Sequence, residues 1–109
     1  MGENITIELL RELCNNDTIR MTNHVFDRMR ERSISFEEVK TAIKTGEIIE
    51  QYPDDYPFQS CLILAVNINK RPLHVVVGYA YTEIWIITVY VPDIENWLDD
   101  FKTRRENKQ

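Results

Sequence analysis

A histidine and two arginines recur every four residues in "TNHVFDRMRER", as His24, Arg28 and Arg32. On a helix turning about 100° per residue they stand at roughly 0°, 40° and 80°, with Val25, Phe26 and Met29 on the apolar side next to them. The stripe therefore borders a buried face. Guanidinium forks match phosphate oxygens, and an imidazole moves a proton near neutral pH, so the chemistry this spacing suits is the handling of a phosphodiester. The same spacing also describes a solvated helix edge whose arginines snorkel or pair with Asp27 and Glu31.

The second histidine, His74, is the one residue in the apolar runs "LHVVVGYAY" and "IWIITVYV" whose type ionises near neutral pH. If Tyr81 to Glu83 makes a three-residue loop between two strands, Ala80 pairs with Ile84, Val76 faces Thr88 and His74 falls opposite Tyr90. A two-residue loop would set His74 against Val89 instead. A ribonuclease needs a base for the 2′-hydroxyl proton, an acid for the leaving oxygen, and cations for the charge on phosphorus. His74 and His24 are candidates for acid and base, Arg28, Arg32 and Arg71 for holding the phosphate, and Tyr90 for orienting it or stacking on a base. The structural alternative for His74 is a half-buried ring hydrogen-bonded to a neighbour.

Other chemistries find less support. Two histidines with no acid at ligand spacing make a poor metal site, and no cofactor is expected. The three glycines, Gly2, Gly46 and Gly78, build no phosphate-cradling loop. Cys61 starts an apolar run with no cation beside it, which is not the setting of a nucleophile.

The elements that would position these groups follow from periodicity and punctuation. Residues 5–14 place Ile5, Leu9, Leu10 and Leu13 at helical spacing, and Asn15, Asn16 and Asp17 end that helix. Thr22 caps a second helix, and "SFEE" is a capping box that starts a third, with Ser35 and Glu38 as its two ends and Gly46 as its stop. "EIIEQY", "CLILAVNI", "LHVVVGYAY" and "IWIITVYV" are dense in β-branched and aromatic residues, with turns at "PDDYP", "NKRP" and "YTE". "DIENWLDDFK" reads as a closing helix capped by Asp93, with Ile94, Trp97, Leu98 and Phe101 inward. The expectation is an α+β fold, with N-terminal helices packed on an antiparallel sheet of about four strands and a short C-terminal helix.

A chain of 109 residues with 43% hydrophobic and 28% charged residues suits one soluble domain, with its core over about 5–101 and a polar tail over 102–109. Apolar runs are too short to span a membrane, and "MGENITIELLREL" lacks the basic start of a signal peptide. Cys14 and Cys61 read as reduced packing residues, so a cytoplasmic location is expected. The net charge of −5 argues against a broad electrostatic grip on nucleic acid. The charge is patchy, however. Residues 20–32 carry a net +2 and the tail "KTRRENKQ" +3, while 47–58 and 93–100 each hold four acids and no base.

Taken together, "TNHVFDRMRERSISFEEVKTAIKTGEIIEQYPDDYP", "RPLHVVVGY" and "IITVYVPD" resemble a bacterial and archaeal domain-of-unknown-function family. That family is similar to the BrnT-type toxins and, more distantly, to RelE-like messenger-RNA interferases. The resemblance spans about Ile19 to Trp97. It implies a small ribonuclease-toxin fold of helices followed by an antiparallel sheet, and a cognate antitoxin partner that is zinc-finger-like in some cases. It matches His24, Arg28 and Arg32 to recurring family positions, His74 to an "LHVV" histidine, and Thr88, Tyr90 and Pro92 to a "TVY.P" segment, which adds Thr88 to the phosphate- and RNA-binding set. Such toxins are usually basic, and this chain is acidic. The leading expectation is a toxin-like, metal-independent endoribonuclease of a type II toxin–antitoxin pair. The alternative, motivated by the acidic balance and the aromatic last strand with Trp85, is a non-catalytic protein-interaction module of the same fold, as a homodimer or a subunit of a larger assembly.

Overall fold

A computed structural model describes residues 4–15, 17–67 and 69–106. The expected starts of the second and third helices are where the capping chemistry put them, and the first begins at a cap that periodicity did not show. Thr6 accepts from the Leu9 amide to start α1 (Ile7–Glu12), and Thr22 accepts from the Val25 amide to start α2 (Asn23–Glu31). Both halves of the capping box form at α3 (Phe36–Thr45): Glu38 N donates to Ser35 Oγ at 3.0 Å, and Ser35 N to Glu38 Oε1 at 3.1 Å. α1 is shorter than the 5–14 read from periodicity, although Ile5 before it and Cys14 after it are still buried. Asn16, one of the expected breakers, lies outside the described residues.

Gly46 closes α3 at a negative φ, so its role is close approach and not a left-handed turn. A Cβ there would stand 2.5 Å from the Ala42 carbonyl oxygen and 2.6 Å from that of Leu64. The chain passes directly from that contact into the sheet. β2 (Glu47–Tyr52), β3 (Ser60–Val66), β4 (Pro72–Tyr79) and β5 (Ile84–Tyr90) pair antiparallel with their sequence neighbours. Ile68, the end of the expected "CLILAVNI" run, lies outside the described residues, as do 107–109 of the tail.

Two expectations are corrected. The sheet has five strands and is mixed, in the order β1-β5-β4-β3-β2. The added β1 (Ile19–Arg20) runs parallel to β5, through Ile19–Ile84 and Arg20–Trp85. A two-residue strand is too short for any periodicity to announce. The C-terminal helix does not form. Asp93 caps only a turn, its Oδ1 accepting from the Glu95 and Asn96 amides, and Asp100 does the same for Lys102 and Thr103. Each aspartate satisfies backbone groups locally and so competes with helix continuation. Phe101, directly after Asp100, has φ 58, outside the helical region.

Alternation divides the sheet. Cys61, Ile63 and Ala65 on β3, with Leu73, Val75 and Val77 on β4 and Ile84, Ile86 and Val89 on β5, share one core with Leu10, Val25, Met29, Val39 and Ile43 of the helices. Leu62, Leu64 and His74 are also buried, but they alternate onto the other side of the sheet. Trp97 of the C-terminal segment lies on that side, edge-on to the His74 ring at 4.5 Å between centroids.

Candidate functional site

The structure sorts the candidate residues into two groups. The first lies where α2 meets the sheet edge. β1 covers only Ile84 and Trp85, and past that point α2 flanks β5, with Arg32 Nη1 donating to the Val89 carbonyl at 2.7 Å. Between them lies a cleft of about 240 Å³ lined by His24, Arg28 and Arg32 with Thr88, and by Val25, Ile87 and Val89. The four-residue spacing thus converges on one place, with Thr88 added from the strand. Arg28 also touches Glu31 through Nη1–Oε1 at 3.2 Å, an exposed pair of little energetic weight.

The second group lies on the face that the helices leave uncovered. His74 faces Tyr90 across β4–β5, as the register argument anticipated, but by a different route. The strands turn through Ala80 and Glu83, so that Tyr79, not Ala80, opposes Ile84. A bulge at Ile87 then adds one residue to β5 and restores the His74–Tyr90 and Val76–Thr88 pairs. His74 has no exposed surface, and both ring nitrogens are engaged, Nδ1 with the Tyr90 hydroxyl at 3.1 Å and Nε2 with the Phe101 carbonyl at 2.7 Å. Nε2 therefore carries the proton that it donates to Phe101, and Nδ1 accepts from Tyr90.

Three residues that the sequence reading did not select complete this group. Glu50 on β2 accepts both arms of Arg104, Nε–Oε2 at 2.8 Å and Nη2–Oε1 at 3.0 Å, and also accepts from the Tyr52 hydroxyl. The Arg104 guanidinium lies over the Trp97 ring, 4.5 Å from its centroid. A signal for this contact was present in the charges: the basic tail meets the acidic stretch around 47–58, through Arg104–Glu50 and through Lys102–Glu47 at 3.0 Å.

The titrations follow from burial and partners. Burial pushes the His74 pKa below its ordinary value, and the Phe101 carbonyl and Glu50 only partly offset that. Burial also pushes the Glu50 carboxyl up, but the Arg104 and Tyr52 hydrogen bonds outweigh it and leave the group below the usual carboxylate range. Tyr52, half-buried and bonded to that carboxylate, is pushed up to about 12, and burial raises Tyr90 as well. At neutral pH the group holds a neutral imidazole, a carboxylate, two protonated phenols and a guanidinium.

His24 and His74 are not brought to one cavity, so the expected pairing of the two histidines as acid and base is not assembled. Arg71 joins neither group. Its guanidinium donates to the Ser33 and Arg32 carbonyls at the α2–α3 joint and faces Glu38 at 3.9 Å. It lines a separate groove of about 620 Å³ between α3 and the β3–β4 end of the sheet. That groove is the larger of the two, yet its charged side chains are Glu37, Glu38 and Arg71, and neither histidine lines it. Burial raises the thiol pKa of Cys61 to about 12, which agrees with a packing role.

Among the described residues an α+β fold of five strands and three helices, with polar clusters at a sheet edge and on an open face, is thus defined by its own geometry. The chain belongs to the family described as a domain of unknown function, DUF4258, whose model matches residues 21–91. The match takes in α2 to β5, with His24, Glu50, His74, Thr88 and Tyr90, and leaves out α1, β1 and the covering segment with Trp97 and Arg104. No curated protein and no solved structure matches the chain. No helix among the described residues is long and apolar enough to cross a membrane.

Proposed function

We propose that the protein is a toxin-like, metal-independent endoribonuclease with a cognate antitoxin, and that cleavage occurs on the open face of the sheet. The observation that supports this is the approach of two hydrogen-bonded sets, His74–Tyr90 and Tyr52–Glu50–Arg104, on either side of the Trp97 ring, which brings proton carriers and a cation to one face. The likeness of the sequence motifs to BrnT-type and RelE-like toxins points the same way, and the buried, free Cys14 and Cys61 suit a cytoplasmic protein.

Cleavage follows from the His74–Tyr90 contact. The RNA 2′-oxygen takes the place of the Phe101 carbonyl at Nε2, with the imidazole in its other tautomer. Nε2 accepts the 2′-proton as the 2′-oxygen bonds to phosphorus, and Nδ1 passes its proton to the Tyr90 oxygen. Tyr90 gives its own proton to the departing 5′-oxygen. The products are a 2′,3′-cyclic phosphate and a 5′-hydroxyl, and no proton is left over. A neutral imidazole is the form that this relay needs, and Arg104 stabilises the charge on phosphorus. The step requires the loop closed by the Trp97–Arg104 pair to lift its tip from His74 while Arg104 stays on Glu50.

The test is RNA cleavage by the full chain in EDTA, with analysis of the product ends. Cyclic phosphate ends made by wild type and lost in Tyr90→Phe and His74→Gln support the reading. Cleavage that survives both substitutions, or is absent from a folded wild type, overturns it. One observation favours a second reading, in which the open face binds a protein: the closed segment presents Ile94 and Leu98 to solvent, at 61% and 37% exposure. Stable association with a second copy or with an antitoxin, without any cleavage, would select it.

A further inference from the structure

The cleft between α2 and β5 is set apart from the cluster just described, and its composition is unlike the rest of the molecule. In a chain of net charge −5, its lining holds two arginines, a histidine and a threonine, and no carboxylate. Three of these come from one helix face at four-residue intervals, and Thr88 is adjacent to the Ile87 bulge of β5. Bulges concentrate where a strand re-aims a side chain for function. Arg32 is fixed in place by its bond to the Val89 carbonyl, so one of the two guanidiniums is already ordered. Arg28 is half exposed and restrained only by Glu31, and His24 makes no hydrogen bond or ion pair among the described residues.

Size narrows the choice of ligand. A volume of about 240 Å³ is below the roughly 300–1,000 Å³ of pockets that enclose drug-sized molecules. It suits a compact polyoxygen anion and not a whole nucleotide. Two guanidiniums offer forked donors that match tetrahedral oxygens, a hydroxyl and an imidazole N–H supply further donors, and Val25 and Ile87 line the remaining wall.

We infer that this cleft is a phosphate-binding site, in which Arg28 and Arg32 grip a phosphoryl oxyanion and His24 and Thr88 complete its hydrogen bonds. The phosphate comes either from a terminal or free phosphate group or from a backbone diester of RNA, and the chemistry of recognition is common to both. The site does not depend on where, or whether, the protein cleaves RNA.

The experiment is an NMR titration of the full chain at low ionic strength, following the His24 ring and the Thr88 amide. The probes are inorganic phosphate, a 5′-phosphorylated tetraribonucleotide and the same oligonucleotide without its phosphate. Saturable shifts at both positions are expected, with affinity weakened about tenfold by Arg28→Ala, the worth of one charge-assisted contact. Glu31→Gln should tighten binding by releasing Arg28. Tighter binding of the phosphorylated oligonucleotide assigns the site to terminal phosphates, and equal binding of the two assigns it to backbone diesters. Absence of saturable shifts with all three probes overturns the inference, as do shifts that Arg28→Ala leaves unchanged. Arg28 and His24 are both exposed, so loss of fold does not confuse the result.

Discussion

The two polar clusters each set a histidine near arginine and reach opposite states. Around His74 every buried side-chain donor and acceptor has found a partner, and no buried side-chain nitrogen or oxygen among the described residues is left without one. Around His24 the imidazole is exposed and unbonded, and one arginine holds only a surface partner. Burying a polar group is costly unless it is hydrogen-bonded, so the inner cluster rests closed, with the Phe101 carbonyl on His74. An edge cleft carries no such requirement and can leave its donors to water. The closed cluster therefore contributes to stability, while the open one is available to a ligand.

The sharpest way to break this contrast is to remove each imidazole. His74→Ala leaves a void between Tyr90 and Trp97 and strands the Phe101 carbonyl. It should cost about 3–4 kcal/mol in urea unfolding, in the range of large aromatic truncations. His24→Ala should stay within about 0.5 kcal/mol, as exposed substitutions do. Equal losses at the two sites would show that the difference in burial does not govern them.

Arg104→Ala comes next. It removes the fork to Glu50 and the stacking on Trp97, but Glu50 is 22% and Arg104 57% exposed, so solvent screens the pair. A loss of about 1–2 kcal/mol is expected, along with faster amide exchange across residues 97–104 than across the strands. A stability loss with no change in local exchange would mean that Arg104 does not anchor this segment.

How much of this was legible in the sequence depends on how local each determinant is. The starts of α2 and α3 were readable, because Thr22, Ser35 and Glu38 act within one turn. The His-Arg-Arg convergence was readable for the same reason, since one helix carries it. The His74–Tyr90 pair was found from an expected three-residue loop that the structure replaces with a longer turn and a bulge, two offsets that cancel. The C-terminal helix failed because Ile94, Trp97, Leu98 and Phe101 mimic a helical stripe, whereas Asp93 and Asp100 each close a turn of their own. Glu50 with Arg104, 54 residues apart, left no periodic trace, only complementary charge in two stretches.

Acid should separate the clusters further. His74 is held neutral, with its pKa lowered from 6.5 by burial, and the charged groups facing it are Glu50 from β2 and Arg104 from the C-terminal segment. Below 6.5 the unfolded chain takes up a proton at this position that the folded protein resists. The stabilisation is thus fully present above pH 6.5 and is lost as pH falls through the depressed folded value. Glu50, lowered from 4.5, acts in the same direction but only from that lower starting point. Chemical unfolding measured from pH 7 to pH 4 should show stability declining from the upper end of this window. In His74→Gln the upper part of that decline should flatten while the lower part persists. A decline confined to pH values below 4.5 in the wild type would remove His74 as its origin.

The smallest expected change is also the most discriminating for the open cleft. Arg28→Ala breaks only the 3.2 Å contact with Glu31, between side chains 47% and 62% exposed. Exposed i,i+3 pairs contribute a few tenths of a kcal/mol, and alanine recovers part of that through its higher helix propensity. Unfolding free energy should therefore move by less than about 0.5 kcal/mol, measured in the buffer used for the phosphate titration. A larger loss would place Arg28 among the residues that hold α2 against β5 and assign the cleft to packing. A negligible change, alongside weakened phosphate binding, would show that the cation is retained for a ligand, since the fold can do without it.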